Sequence, residues 1–472
     1  MKILLTGTTG YIGKRLLPIL LAEGHEVICC VRDKKRIDLS NFYGENVKII
    51  ELDFLDEKSL DIIPRDIDIA YYLIHSMSVS TDDFDTLEEI SANNFKNSIQ
   101  KTNVKQVIYL SGIVNEEELS KHLSSRKNVE DLLGSGTFNL TTLRAGIIVG
   151  SGSASFEIMR DLVEKLPIMI TPKWLNTKSQ PIAIRNVLEF LKGVLLNDYT
   201  YNKSFDIGGP EIFTYKEMLL TFAEVRNLKR KIFTLPIMTP KLSSYWLYFV
   251  TSTSYKLAIN LVDSMKVEVI CKENDLAEQL HIKLIPYKEA VQLAFKKIRQ
   301  HDVISSWIDA QSSDVLAKGI SNLIEMPTFG CYNDKCEKAV RNENETIDKI
   351  WAIGGDNGWY YGNFLWNMRG FMDKLVGGTG LRRGRKSQTE LSVGDALDFW
   401  RVLDVDKKKK RLLLYAEMKL PGEAWLEFKI KNNILYQTAT FRPLGIWGRL
   451  YWYGVLPFHG FIFKGMIGKL TE

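Results

Sequence analysis

The chain has 472 residues, 45% hydrophobic, 25% charged and 11% aromatic; this ordinary globular composition excludes collagen-like, largely disordered and disulfide-scaffold classes. At about 100–200 residues per domain it calls for two or three domains. Lys and Arg number 62 against 57 Asp and Glu, a net +5, too weak over this length to point to nucleic acid. The ten Trp are unevenly placed, seven of them between Trp351 and Trp452, so the two ends of the chain differ in character.

Lys2–Leu5 is a short buried-type strand, and Thr6-Gly7-Thr8-Thr9-Gly10-Tyr11-Ile12-Gly13 follows it at once. A helical pattern with Leu16, Leu17, Leu20 and Leu21 on one face runs to Ala22, and Gly24 is placed to end it. His25–Val31 is a second apolar strand. Strand, Gly-rich turn, helix and strand in succession form the context that a dinucleotide fingerprint needs. Gly7 permits the tight turn, Gly10 lets backbone approach a pyrophosphate, and Gly13 allows close helix–strand packing. Thr9, Tyr11 and Ile12 complete the loop as cofactor candidates, and the positive end of the helix favours phosphate. After the second strand an acidic residue binds the ribose 2′-hydroxyl of NAD, whereas Arg accommodates the 2′-phosphate of NADP. Val31-Arg32-Asp33-Lys34-Lys35-Arg36 puts Arg32 there and favours NADP, while Asp33 leaves NAD open.

Val47–Leu52 is a third strand, ending in Asp53-Phe54, where a carboxylate could meet the adenine amino group. Ile67–Ile74 is the fourth and ends in His75-Ser76. Asp53, Phe54 and His75 therefore join the Gly loop and Arg32 as cofactor candidates. Ser91–Lys101 reads as helix, Val104–Leu110 as a fifth strand ending in Ser111-Gly112, and Phe138–Val149 as a sixth strand. The alternation predicts an α/β fold, a doubly wound parallel sheet of Rossmann type with its nucleotide-binding core in residues 1–150. Residues 151–300, with helical patterns at Phe156–Leu166, Tyr215–Arg226 and Tyr287–Ile298, read as the remainder of that domain, its substrate or lid region. Within it Ile237–Val269 is aromatic-rich, with Trp246, Tyr248 and Phe249 close together. Residues 301–345 have weak periodicity and read as a connection.

From Thr346 the character changes. Phe364–Val376 reads as helix, followed by period-two strands at Ala396–Val405, Arg411–Met418, Ala424–Ile430 and Ile434–Phe441 with tight polar turns, an antiparallel meander. Ile446–Leu470 is an amphipathic aromatic helix. Residues 346–472 thus form a smaller, Trp-rich α+β domain. A curved antiparallel sheet closed by a long C-terminal helix resembles the helix-grip fold of lipid-transfer (START) and birch-pollen-allergen proteins, which enclose a hydrophobic cavity. Trp side chains suit a pocket for an apolar ligand, and they equally suit the filling of a small core. Leu381-Arg382-Arg383-Gly384-Arg385-Lys386 reads either as a grip for an anionic group or as a charged loop facing water.

TGTTGYIG, Arg32, Asp53 and Val107-Ile108-Tyr109-Leu110-Ser111 together resemble the short-chain dehydrogenase/reductase superfamily, in its extended and atypical (NmrA-like, epimerase-like) branches. Leu143–Gly150, Gln180–Val187 and Phe205–Glu211 match later segments of that branch, so the resemblance spans about residues 1–300. It implies NAD(P) binding and hydride transfer. Active members carry a Ser at the end of the fifth strand and a Tyr with a Lys four residues later; here Ser111 is present and the pair reads His122 and Arg126. His donates and accepts protons near neutral pH, and Arg positions phosphate or ribose without titrating. The pair reads as a substitute acid with a cationic partner or as the remnant of a lost site. Gly150–Ser155 and Lys419-Leu420-Pro421-Gly422-Glu423-Ala424-Trp425 resemble a bacterial subgroup in which the Rossmann-like half is fused to a DUF2867-type domain of uncharacterised function.

These readings converge on an NADP-dependent oxidoreductase acting on a small apolar carbonyl or quinone-like substrate. Two alternatives stay open: a non-catalytic NADP(H)-binding sensor or assembly factor, and a lipid- or quinone-binding carrier. Five Cys without framework spacing read as reduced thiols, and no metal-ligand set is expected. The start MKILLTGTTG lacks the apolar core of an export signal, and no stretch reaches the roughly 18 apolar residues of a membrane span. A cytoplasmic protein is expected, with Tyr245–Val262 and Gly445–Ile467 apolar enough to touch a membrane peripherally.

Overall fold

The computed structural model describes residues 1–37, 46–74, 84–114, 121–235, 265–299, 330–381 and 390–472, with the single positions 259, 262, 324, 326 and 385. Strands β1 (Lys2–Leu5), β2 (Glu26–Val31), β3 (Val47–Glu51), β4 (Ile69–Tyr72), β5 (Gln106–Gly112), β6 (Asn139–Ala145) and β7 (Lys203–Ile207) form one sheet. Their order is β7-β6-β5-β4-β1-β2-β3, and every neighbouring pair is parallel. This is the doubly wound Rossmann arrangement, in which the chain leaves β1 toward β2 and returns across it to β4. Among the described residues the longer helices of this unit are α1 (Gly13–Ala22), α2 (Phe84–Ile99), α3 (Lys121–Gly134), α4 (Ala154–Lys165), α5 (Ile184–Gly193), α6 (Tyr215–Val225) and α7 (Tyr287–Arg299). Strands buried on both faces read as continuous apolar runs because alternate side chains serve two cores. Ile3, Leu5 and Cys29 pack with α1 and α5, whereas Leu4, Ile28 and Cys30 pack with α2 and α3. Helices α4, α6 and α7 build a third core around Phe156, Phe222 and Phe295, whose ring centroids lie 5.2–5.3 Å apart.

The expected sixth strand divides: β6 stops at Ala145, and Ile148–Val149 pairs instead with Ile182–Ala183. The seventh strand, β7, has no periodic signal of its own because Lys203 and Ser204 lie exposed on its outer half; pairing with β6 supplies its register. Tyr245–Val262 and the Trp246, Tyr248, Phe249 group lie outside the described residues, save position 262.

Contacts divide the chain into two units, one built on residues up to Gln311 and one from Ser312 onward. The second unit holds strands β8 (Tyr332–Ala339), β9 (Ala396–Leu397), β10 (Trp400–Asp406), β11 (Arg411–Ala416), β12 (Gly422–Lys431) and β13 (Ile434–Pro443), and helices α8 (Glu343–Trp351), α9 (Asn363–Leu375) and α10 (Gly445–Thr471). The six strands form an antiparallel sheet in the order β8-β13-β12-β11-β10-β9, and α10 is the long final helix. The stretch read as a connection contains β8. Its alternation is only between half-buried Tyr332, Asp334 and Cys336 and exposed neighbours, as suits an edge strand, and β13 pairs with it along its whole length. The seven Trp of the tail divide sharply: six are 2–8% exposed and Trp447 is 77% exposed. Trp359 stacks on Trp366 at 4.7 Å, and Trp452 lies parallel to both Phe441 and Tyr332. Trp351, Trp359, Trp366 and Trp400 belong to the main apolar core of the unit, and Trp425 to a smaller cluster with Leu403, Leu413 and Tyr415.

Asp398 lies beside the Trp359–Trp366 stack. Its Oδ2 accepts from Trp359 Nε1 at 2.7 Å, and burial raises the carboxyl to about 6. The neighbouring Arg385 guanidinium, lowered to about 10 by burial, turns inward and donates to the carbonyls of Trp351 and Ile353. That arginine of the basic run is neither an anion grip nor a water-facing charge; residues 382–384 and 386 lie outside the described residues. Because the Asp398 carboxyl binds its proton more tightly when folded than at its ordinary value of 3.8, this group's contribution to the stability of the second unit grows as pH falls through about 6 to about 4 and is lost as pH rises again. Thermal unfolding monitored by Trp fluorescence is expected to show this gain in the wild type and a flatter profile in Asp398→Asn. An identical pH slope in the two proteins contradicts the assignment.

Candidate functional site

The crevice outside the carboxyl ends of β1 and β4, where the strand order reverses, is where doubly wound sheets receive ligands. The loop after β1 is pinned from beneath. Thr6 Oγ1 donates to the Tyr71 carbonyl at 2.9 Å and accepts from Leu73 N at 3.0 Å, and Thr8 Oγ1 donates to the Leu5 carbonyl at 2.8 Å. Gly10 N donates to the Gly7 carbonyl at 2.8 Å, closing the turn. Gly7 has φ +63°, and a Cβ there would stand 2.6 Å from the Leu73 carbonyl oxygen. Helix α1 begins at Gly13 with Ile12 at its N-cap, no side chain capping it and no acid in its first turn. Its positive dipole end therefore faces the crevice without a side-chain anion of its own. Tyr11 turns away from it: a Cβ on Gly150 would lie 2.6 Å from the Tyr11 hydroxyl, and the Arg15 guanidinium stacks on the ring at 4.1 Å while donating to the Ser151 carbonyl at 2.8 Å. Burial raises the Tyr11 phenol to about 12. Gly10 supplies the close approach and not an amide, its N–H being turned to Gly7, and a loop this free of side-chain acid fits a dinucleotide pyrophosphate.

Arg32 is exposed at the end of β2, next to Asp33. The Asp33 carboxylate accepts from Lys35 N at 2.9 Å and caps the short turn Lys34–Arg36, so the acid that left NAD open is engaged by its own backbone. Asp53 follows β3 half-buried, its Oδ1 accepting from Leu55 N at 3.0 Å. Phe54 points into the core, 5.7 Å from the Phe95 ring, so only its main chain borders the loop; its carbonyl holds the Asn94 amide at 2.9 Å. His75 lies outside the described residues.

Ser111 ends β5, 1% exposed, and Arg126 is half-buried on α3. His122 lies in the first turn of α3, with its side chain outside the described residues. Tyr109 brings Ser111 and Arg126 together. It shares the Ser111 face of β5 because side chains alternate along a strand. Its phenol, 3.5 Å from the Arg126 carbonyl oxygen, faces both the Ser111 hydroxyl and the Arg126 guanidinium. Burial raises it to about 12, and those two neighbours pull it back. The alternation of β5 was the signal for Tyr109, which its position inside a strand concealed. Around this cluster Ser125 donates to Glu88 at 2.6 Å, and Arg144, the register partner of Ser111, forks onto Glu130 at 3.0 and 2.6 Å. A hydroxyl, a phenol and a guanidinium converging at the end of β5 can orient an oxygen and hold a proton near it.

Residues 7–157 match a family described as NAD(P)H-binding, and residues 331–466 match DUF2867, a family of unknown function. The chain is 23% identical over 283 residues to the photosystem II assembly factor Ycf39 of Trieres chinensis, covering 59% of this chain and 84% of that one. It is 23% identical over 227 residues to the chloroplastic divinyl chlorophyllide a 8-vinyl-reductase of Arabidopsis thaliana, covering 44% of this chain and 54% of that one, so it spans about half of that relative. Among solved structures, Citrobacter sp. triphenylmethane reductase in complex with NADP(H) superposes with a TM-score of 0.51 at 19% identity, over 62% of this chain and 100% of that chain. A nucleoside-diphosphate-sugar epimerase from Staphylococcus aureus does so with 0.51 at 14% identity, over 62% and 100%. At these identities the shared property is the fold.

Proposed function

For a chain that joins an NAD(P)-binding, atypical short-chain-reductase-like Rossmann domain to a DUF2867 domain, we propose an NADPH-dependent reduction of an apolar carbonyl or quinone-like acceptor. The observation that carries the preference for NADPH is the exposed Arg32 beside a self-capped Asp33, next to the bare loop Gly7–Gly13. The loop amides and the α1 N-terminus hold the pyrophosphate, and Arg32 takes the 2′-phosphate. When bound, the cofactor supplies the hydride. The Ser111 hydroxyl orients the acceptor oxygen, and His122, a residue type able to donate and accept a proton, delivers the proton. Arg126 acts by positioning the Tyr109 phenol, which donates to its main-chain carbonyl, and by placing a positive charge beside it. An acceptor of extended apolar character is in keeping with the vinyl-reductase relative.

The assembly-factor relative, most of whose length is covered, supports a second reading in which the nucleotide is bound but not consumed. Fluorescence titration is expected to show tighter binding of NADPH than of NADH, with Arg32→Glu weakening NADPH about tenfold or more, the loss of one charge-assisted contact. Against a panel of quinones and ketones, Ser111→Ala and His122→Ala should each slow NADPH oxidation by about 100-fold or more, the usual worth of a positioned acid or base. Binding without oxidation favours the assembly reading, and binding of neither nucleotide overturns both.

A further inference from the structure

Two helices of the second unit carry apolar side chains on the outside. On α9, Phe364, Met368, Phe371, Met372 and Leu375 recur at i, i+4, i+7, i+8 and i+11, a single helix face, and they are 42–76% exposed. On α10, Ile446, Trp447, Leu450, Tyr453, Phe458 and Phe461 are 54–77% exposed, while on its other side Trp452 is buried against Phe441 and Phe463 and Met466 lie in the core of the unit. Along much of its length α10 is therefore apolar around its whole circumference, which a helix with one face in water is not. The two exposed faces are neighbours. The Tyr361 ring lies 5.2 Å from that of Phe461, and the Arg369 guanidinium lies 5.5 Å from the centre of the Tyr451 ring. These contacts bring the lead into α9 and the Arg369 side chain against α10, and exposed apolar faces of this size are of the kind that marks an interaction site.

The charge on these helices is one-sided. Helix α10 contains no Asp or Glu. Helix α9 contains one, Asp373, which is fully buried and accepts from Gly380 N at 2.8 Å and Lys419 N at 2.7 Å. The cations Arg449 and Lys464 of α10 are exposed, as is Lys419 near the end of α9. Two copies of the chain meeting through this surface would set like charges together, which opposes association. Anionic headgroups would neutralise them, Trp and Tyr side chains settle at the headgroup level, and Phe and Leu enter the acyl boundary. An acid-free apolar face with a basic rim is the composition of helices that lie in the bilayer interface.

We propose that the α9–α10 surface docks on an anionic lipid bilayer, lying on it and not crossing it. Crossing is opposed by the burial of the other side of α10 in its own unit, and no described helix is long and apolar enough to span.

Flotation of the full chain with vesicles tests this. Binding is expected to phosphatidylcholine vesicles containing phosphatidylglycerol, weakening about fivefold for each of Arg449→Gln and Lys464→Gln and falling in high salt. The double variant Leu450→Glu/Phe461→Glu should lose at least about tenfold, because charged residues are expelled from the interface. All of these positions, the cations included, are exposed, and near-UV circular dichroism checks that the core is kept. Brominated acyl chains should quench the fluorescence of the wild type more than that of Trp447→Phe, a readout that needs no loss of affinity. The proposal is overturned by a wild type that does not float, by flotation unchanged in the double variant, or by equal quenching in Trp447→Phe. It is overturned equally if light scattering shows a dimer that the double variant dissociates while vesicles bind neither protein.

Discussion

Gly13→Ala is expected to weaken NADPH binding by about 100-fold or more, the equivalent of two lost phosphate contacts at ~1.5 kcal/mol each, while leaving the parallel sheet folded. The added Cβ would stand 2.3 Å from the Gly7 carbonyl oxygen and 2.8 Å from Thr8 Cα. Both are backbone atoms, so no change of rotamer relieves the overlap. The loop cannot give way either, since Gly7 is pressed against the Leu73 carbonyl and Thr6 and Thr8 are hydrogen-bonded to strand carbonyls. The strain must be relieved at α1, whose first turn moves away from the loop and takes its amides out of register with a pyrophosphate. Gly134→Ala, where the new Cβ meets only a Leu140 methyl at an ordinary 3.8 Å, is the matched control and should bind as the wild type does. Wild-type affinity in Gly13→Ala would remove the pyrophosphate from this loop.

Arg401→Ala should cost the second unit roughly 3–5 kcal/mol, the usual loss when one partner of a buried ion pair is deleted. The Arg401 and Glu417 side chains are 0% and 1% exposed. Arg401 Nε donates to Oε1 at 2.8 Å, Nη2 to Oε2 at 3.1 Å, and Nη1 to the Gly394 carbonyl at 2.8 Å. Without the guanidinium, Glu417 must either stay charged in the core or take up a proton, and both are expensive. Arg401→Lys should recover only part of the loss, because an ammonium cannot fork onto a carboxylate. The double substitution Arg401→Met/Glu417→Gln should cost clearly less than Arg401→Ala, since the uncompensated charge disappears with its partner. Denaturant unfolding followed by near-UV circular dichroism reports on the Trp core directly. A loss under about 1 kcal/mol in Arg401→Ala, the range of solvated pairs, would mean that water reaches this pair.

Much of this molecule was legible in the order of its residues. The Gly7–Gly13 loop carries its own explanation, because a positive φ, a tight turn and a close helix approach are requirements on the residues concerned. The β1–β6 runs and the meander β10–β13 announce themselves by period and by turn chemistry, both of which act within a few residues. Helix α10 was equally plain as a helix. Other features depend on partners far away in the chain. Strand β8 is too polar to declare itself and exists because β13 pairs with it. Arg126 joins Tyr109 and Ser111 only because α3 packs against β5. The Trp residues show the division most clearly. Their number marks the second unit from sequence alone, yet Trp452 is buried against Phe441 while Trp447, five residues earlier, stands in water. Both lie on a helix that is apolar all round, so residue type could not choose between its faces. Only the sheet packed against one of them did.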